Sequence, residues 1–141
     1  MAEHICPWWI GYLLISPLRR LGQNPKKILA PYIKPGMIAL DVGCGMGFFS
    51  LDMARLAGSN GKVICVDAQE KMIASLMKRA TKAGLQNLID SRVCSRDSLK
   101  LEDVKHGVGF ALAFAIVHEV PDAKSFFQQI YSALKSNGLL I

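Results

Sequence analysis

Two hydrophobic periods alternate along the chain from residue 37 onward. Short, nearly continuous apolar runs predict buried strands, which lie at residues 37–42, 62–66, 89–94, 110–117 and from 139 onward. Stretches with apolar residues at i, i+3 and i+4 separate these runs and predict helices at residues 48–57, 70–83 and 123–134. This alternation predicts an α/β fold with an open, doubly wound parallel sheet and helices on both faces.

Two connecting segments have less regular patterns. Residues 95–108 are polar, and we expect one short helix within them. Asn137-Gly138 predicts a turn directly before the fifth strand.

The first 24 residues form an aromatic, basic leader that differs from the rest of the chain. The leader contains both tryptophans, Trp8 and Trp9, and two prolines bracket a short helical stretch within it. Asn24-Pro25 predicts the start of the next helix, because asparagine caps helix N-termini and proline is tolerated in the first turn. We therefore divide the chain into a leader, residues 1–24, and a domain, residues 25–141.

Composition indicates a single globular domain, since the chain has 141 residues and is 51% apolar. The net charge of +6 is uneven, because the first 36 residues hold five basic side chains and one glutamate. Such a segment suits phosphate, anionic lipid or an acidic substrate, and it also suits a solvated face. No apolar run reaches the roughly 18 residues of a membrane span. The four cysteines show no Cys-x-x-Cys pairing, so we predict no metal site and a reducing, cytoplasmic compartment.

A glycine turn at the end of the first strand carries the clearest chemical signal. Gly43, Gly45 and Gly47 occupy alternate positions, and Asp67 ends the second strand twenty residues after the last of them. Glycine lets the backbone approach a ligand closely, and an acid at this distance is suited to a ribose. Ligands of parallel sheets lie beyond the carboxyl ends of the strands. The turn and Asp67 therefore predict a nucleotide-like ligand at this edge.

The run Asp41-x-Gly43-x-Gly45-x-Gly47 resembles motif I of the class I S-adenosylmethionine-dependent methyltransferases. The resemblance extends over residues 25–141 and is strongest to the small-molecule branch of the ubiquinone and menaquinone biosynthesis type. Further landmarks follow in the family's order, at residues 63–67, 96–98, 114–120 and 134–140. The glycine spacing differs from the Gly-x-Gly-x-x-Gly of nicotinamide enzymes, which argues against an oxidoreductase.

The resemblance implies S-adenosylmethionine as the cofactor and assigns residues to its parts. The turn formed by Gly43, Cys44, Gly45 and Gly47 would pass beneath the methionine and ribose portions, with Asp41 near the amino end. Asp67 would accept hydrogen bonds from both ribose hydroxyls. Ala68 would border the adenine, and Asp97 with Ser98 would meet its amino group. Asp41 also suits a structural cap of the turn, and Asp97 also suits a surface loop.

The expected reaction is in-line methyl transfer to a small molecule, for which positioning supplies much of the rate. His118 and Glu119, after the fourth strand, are the candidate catalytic residues, and His118 also suits a packing role. The chain lacks the Asn/Asp-Pro-Pro-Tyr/Phe run of enzymes that methylate amino groups of nucleic acids and proteins, so we expect no nucleic-acid partner. A module that binds the cofactor without turnover is the alternative function.

The leader and the end of the chain leave further alternatives open. The leader suits a lid over the substrate, an aromatic anchor on the domain, a peripheral membrane contact, or, through His4 and Cys6, soft metal ligands. The family has an acid at the start of strand four, where this chain has Gly109. The family's sheet has seven strands and this chain ends at Ile141 in the fifth, so we expect either a fragment or completion of the sheet by another chain.

Overall fold

A parallel sheet of five strands organises the part of the chain that the structure, a computed structural model, describes, namely residues 7–10, 17–113 and 120–141. The strands are β1 (Ile38–Val42), β2 (Lys62–Asp67), β3 (Ile89–Val93), β4 (Val108–Leu112) and β5 (Leu134–Leu140). Their spatial order is β3-β2-β1-β4-β5, and every neighbouring pair is parallel. The order reverses between β1 and β4, which creates a topological switch point at their carboxyl ends.

Helices flank this sheet on both faces. They are α1 (Pro17–Gly22), α2 (Pro25–Leu29), α3 (Ser50–Ala57), α4 (Glu70–Lys82) and α5 (Ala123–Ala133), with a 3-10 turn at Gln86–Leu88. Side-chain caps define two of the starts, because Asn24 accepts from the Lys27 amide and Asp122 accepts from the Ser125 amide. No helix among the described residues is long and apolar enough to span a bilayer.

The apolar core has two layers, one on each face of the sheet. Alternate residues of β1 separate between them: Ala39 packs with α2, α3 and α4, whereas Leu40 and Val42 pack with α5. Strands buried on both faces explain the continuous apolar runs in the sequence. These features confirm the predicted doubly wound α/β fold.

The short helix expected within residues 95–108 is wrong. Lys100 and His106 adopt left-handed backbone angles, with φ of 58° and 53°, which a continuous α-helix does not accommodate. The segment is held instead by side chains, since Arg92 of β3 donates to both the Lys100 carbonyl and the Asp103 carboxylate. This arrangement leaves the residues after β3 as an ordered loop.

The fifth strand begins earlier than expected and absorbs the predicted Asn137-Gly138 turn. The pairing with β4 moves from Val108↔Leu134 to Phe110↔Leu139, so the intervening residues of β5 form an irregularity. A Cβ at Gly138 would lie 2.9 Å from the Val108 carbonyl oxygen, which explains glycine there.

Strand β4 begins at Val108, and the predicted residues 114–117 lie outside the described residues. Gly109, which stands in place of the family's acid, is the second residue of β4. Gly109 makes room for Met37, whose Cγ lies 2.9 Å from the position a Cβ would take there.

Candidate functional site

The glycine turn joins β1 to the residues before α3 and is fastened to β2. The amides of Gly43 and Cys44 both donate to the Val66 carbonyl, at 2.7 and 3.1 Å, and the Gly47 amide donates to the Cys44 carbonyl at 3.0 Å. All three glycines have positive φ, at 74°, 55° and 89°. Only glycine adopts such angles readily, so the alternating glycines are required by the path of the backbone.

The two later glycines of the turn face opposite surroundings. A Cβ at Gly47 would lie 2.3 Å from Leu76 Cδ1, inside the core, whereas a Cβ at Gly45 would meet nothing within 4 Å. The turn therefore packs tightly beneath and leaves open space above Gly45.

Asp67, the last residue of β2, holds the turn from the neighbouring strand. One carboxylate oxygen accepts from the Gly45 amide at 2.9 Å, and the other accepts from the Gln69 amide at 2.9 Å. Burial raises the pKa of Asp67, and the backbone amides of Gln69, Gly45 and Ala68 oppose that shift. Each oxygen retains acceptor capacity for a further donor, so this carboxylate is suited to a vicinal diol at the open side of Gly45.

Asp41 lies in β1 beneath the turn and is only 3% exposed. The Ser50 hydroxyl, at the start of α3, donates to its carboxylate at 2.5 Å. Burial raises the pKa of Asp41 to about 7, the Ser50 hydrogen bond opposes this shift, and the charge of Asp67 adds to it. This hydrogen bond connects β1 to α3, as expected if Asp41 is a structural cap of the turn. Contact between Asp41 and a ligand stays a prediction.

The raised pKa of Asp41 predicts a pH-dependent stability. The group is neutral more readily when folded, so its contribution to the free energy of unfolding is fully present below its ordinary pKa of 3.8. It is lost as the pH rises through about 7. Each pH unit within this window removes up to about 1.4 kcal/mol.

The matched comparison is wild type against Asp41→Asn, which still accepts from Ser50 but does not titrate. Urea denaturation from pH 4 to pH 8 should show the difference in unfolding free energy between the two proteins changing across this window and levelling off above it. Parallel curves would show that Asp41 does not titrate between folded and unfolded states.

The loop after β3 reaches the same edge of the sheet. The Cys94 amide donates to the Asp67 carbonyl at 2.9 Å, which continues the pairing of β2 and β3 past the strand ends. Asp97 is exposed in this loop. The Ser98 hydroxyl donates to Glu102 at 2.8 Å and accepts from the Lys100 amide at 3.0 Å, so it stabilises the loop.

The chain that forms this site is similar in sequence and fold to known proteins. A family profile described as "Methyltransferase domain" matches residues 33–141. The chain belongs to this methyltransferase domain family. Its glycine turn, Asp67 and the loop after β3 lie within the matched residues, and residues 1–32, which include the leader and α2, precede them.

Curated relatives of this methyltransferase domain include enzymes of quinone biosynthesis. The chain is 28% identical over 139 residues to the ubiquinone biosynthesis O-methyltransferase of Bradyrhizobium diazoefficiens, covering 99% of this chain and 51% of the relative. It is 31% identical over 128 residues to the demethylmenaquinone methyltransferase of Lactobacillus johnsonii, covering 89% of this chain and 50% of the relative. The chain thus spans about half the length of these relatives.

Solved structures share the fold of the methyltransferase domain. A SAM-dependent methyltransferase from Aquifex aeolicus superposes with a TM-score of 0.87 at 26% identity, covering 96% of this chain and 71% of that one. The [4+2]-cyclase SpnF has a TM-score of 0.72 at 23% identity, covering 83% of this chain and 42% of that one. The fold therefore does not by itself determine the reaction.

The structure brings together most of the site residues predicted for this domain. Asp67 accepts from the Gly45 amide of the turn, and Ala68 is exposed beside Asp67. Asp41 lies in the strand that leads into the turn and accepts from Ser50 of α3. Cys44 is buried and its thiol contacts that of Cys65, which raises the pKa of the Cys44 thiol together with burial. Cys44 thus presents only its backbone to the site. The two candidate catalytic residues, His118 and Glu119, lie outside the described residues.

Several side chains that the sequence did not single out support the site. Ser50 binds Asp41, Arg79 donates to the Met46 carbonyl in the turn, and Gln129 binds the loop after β3. Ser50 lies within the helix predicted at residues 48–57, and no sequence pattern singled it out. The partners of Arg79 and Gln129 are about thirty residues away, and no local pattern indicated them.

The described part of the leader packs beside the site. The Arg19 guanidinium lies 4.0 Å from the ring centroid of Phe48, which follows the glycine turn, and the Lys71 ammonium lies 4.9 Å from the Trp8 ring. These contacts suit both the lid and the aromatic anchor. Among the residues that the structure describes, no three His, Cys, Asp or Glu side chains are grouped to hold a metal, and His4 and Cys6 are not among them.

Proposed function

We propose that this chain binds S-adenosylmethionine at the carboxyl edge of β1 and β2 and transfers its methyl group to a small molecule. The observation that carries the proposal is the Asp67 carboxylate, which bonds the Gly45 amide beside open space while retaining acceptor capacity on both oxygens. As an acceptor, this carboxylate suits ribose hydroxyls and repels phosphates. Membership of the methyltransferase domain family supports the proposal, as does the SAM-dependent fold neighbour.

The proposed contacts follow the order of the residues along this edge. Asp67 accepts from the ribose hydroxyls, the backbone of residues 43–47 lies under the methionine portion, and Ala68 borders the adenine. Asp97, with Ser98 beside it, meets the adenine amino group, and the Asp41 carboxylate attracts the amino end. A neutral Asp41 would attract an ammonium less, so its raised pKa favours binding at higher pH.

When bound, S-adenosylmethionine supplies a methyl group activated by its sulfonium sulfur. The protein's part is to orient the acceptor in line with this group and to exclude water. We assign His118 and Glu119 to the acceptor side on the strength of their position after β4. His118 would take a proton from an acceptor whose attacking atom carries one.

The acceptor class rests on what the relatives are named for. A ubiquinone biosynthesis O-methyltransferase and a demethylmenaquinone methyltransferase both indicate an aromatic quinone or its precursor. We propose such a ring as the acceptor, with no nucleic-acid substrate. The aromatic and basic leader, residues 1–24, would cover the acceptor or contact a membrane surface next to residues 25–141.

We also propose a reducing compartment, the cytoplasm, as the site of action. Cys44 and Cys65 are in contact as free thiols in the core, and Cys94 is a third free thiol. Thiols in contact remain reduced most readily where the cell keeps them so.

Methyl transfer from radiolabelled S-adenosylmethionine tests this proposal. The full chain should label a catechol-type ubiquinone precursor or a demethylated naphthoquinol, and Asp67→Ala should not. The matched control, Asp90→Ala, should label the acceptor as wild type does, since Asp90 pairs with Arg92 on β3. Binding of S-adenosylhomocysteine without transfer to any quinone precursor would contradict the proposed reaction and favour a binding module.

A further inference from the structure

The side-chain amide of Gln129 on α5 forms hydrogen bonds with the backbone of the loop after β3. Its oxygen accepts from the Leu99 amide at 2.8 Å, and its nitrogen donates to the Asp97 carbonyl at 3.3 Å and to the Ser125 hydroxyl at 3.3 Å. The hydrogen bonds to Leu99 and Asp97 join residues about thirty positions apart and connect α5 to the loop that carries Asp97.

The chemistry of the partners defines the orientation of this amide. The Leu99 N–H only donates and the Asp97 carbonyl only accepts, so the Gln129 oxygen must face the former and its nitrogen the latter. Glutamine is neutral and carries both functions on one planar group, as a peptide bond does. Glutamate would keep the acceptor but lose the donor, and methionine would lose both.

Both α5 and the loop that Gln129 connects are held in place by buried side chains. On the helix side, Phe126 and Ile130 of α5 are 4% and 0% exposed and pack against the sheet. On the loop side, Leu99 is 7% exposed and packs in the same layer, while the Ser95 amide closes the loop by donating to the Ser98 carbonyl at 3.0 Å. The backbone of exposed Asp97 is therefore held between a buried residue and a closed turn.

We propose that Gln129 is a positioning residue that fixes the backbone from which the Asp97 carboxylate projects, and so selects adenine over a base with a carbonyl at the same ring position. The inference rests on the proposed function, in which Asp97 accepts from the adenine amino group. A carboxylate held in this place attracts an amino group and repels a carbonyl oxygen. Without these hydrogen bonds the backbone at Asp97 is no longer fixed, and both effects weaken.

Calorimetric titration of the full chain with S-adenosylhomocysteine and S-inosylhomocysteine tests this selection. Wild type should bind the adenine compound more tightly. Gln129→Met should weaken binding of the adenine compound about tenfold and leave the hypoxanthine compound unchanged or improved, since one oriented hydrogen bond is lost. Gln128→Met is the matched control, because Gln128 is an exposed neighbour on the same helix, and it should leave both affinities unchanged.

Two further variants separate positioning of Asp97 from a general loss of stability. Gln129→Glu should reduce the same ratio, and it supplies the result if Gln129→Met does not fold. Asp97→Ala should remove the effect of Gln129→Met in the double variant. Equal losses for both compounds, or an unchanged ratio, would overturn the positioning role. A wild type that binds neither compound would instead overturn the proposed cofactor, and this inference with it.

Discussion

Asp67→Ala is expected to lower the affinity for S-adenosylhomocysteine at least a hundredfold while the chain remains folded. The variant loses two charge-assisted hydrogen bonds to the proposed ribose, each of which contributes about 1.5–3 kcal/mol. It also releases the Gly45 amide, which the Asp67 carboxylate holds at 2.9 Å. The fold survives because the turn keeps its bonds from Gly43 and Cys44 to the Val66 carbonyl.

Isothermal titration of Asp67→Ala beside Asp90→Ala provides the measurement. Asp90 lies on the neighbouring strand and its partner Arg92 keeps a second partner, Asp103, so its removal should change neither fold nor affinity. Equal affinities for the two variants would remove Asp67 from the site.

Gly47→Ala should destabilise the chain far more than Gly36→Ala. The two glycines have nearly the same φ, 89° and 84°, so alanine is strained equally at both. The strain costs about 1–2 kcal/mol. Only at Gly47 does a Cβ also meet another atom, Leu76 Cδ1 at 2.3 Å, and Leu76 is fully buried. Overpacking of this kind adds about 1–3 kcal/mol.

Chemical denaturation of the two variants gives the comparison directly, and the difference should be at least about 1 kcal/mol. Adding Leu76→Ala should make Gly47→Ala less costly, because the truncated side chain no longer opposes the new methyl group. Equal losses for Gly36→Ala and Gly47→Ala would show that the turn is not packed against α4 as described.

The sequence was sufficient for the parts of the site that depend on local backbone. A strand followed by glycines at alternate positions requires a tight turn, and the observed positive φ angles confirm that requirement. Asp67 was identifiable because it ends the second apolar run twenty residues after Gly47, where a ribose-binding acid is expected. The five-strand parallel sheet followed from the alternation of apolar periods, since strands buried on both faces are continuous in hydrophobicity.

Contacts between distant segments could not be predicted in the same way. The hydrogen bonds that join Gln129 to Asp97 and Leu99 depend on how α5 lies over the sheet. Glutamine at a half-buried helix position does not by itself indicate such a contact. One short helix was expected within the polar residues 95–108, whose pattern is irregular, but Arg92 holds this loop by charge-assisted hydrogen bonds instead. The start of β5 was predicted too late because Asn137-Gly138 is a typical turn sequence, whereas here it lies within an irregular strand.

Calorimetric titration of the wild-type chain with S-adenosylhomocysteine and with NAD tests the central claim most directly. Our account predicts binding of one S-adenosylhomocysteine per chain and no heat from NAD, because the glycine spacing differs from that of the turns that bind the pyrophosphate of nicotinamide dinucleotides. Binding of NAD without binding of S-adenosylhomocysteine would contradict it.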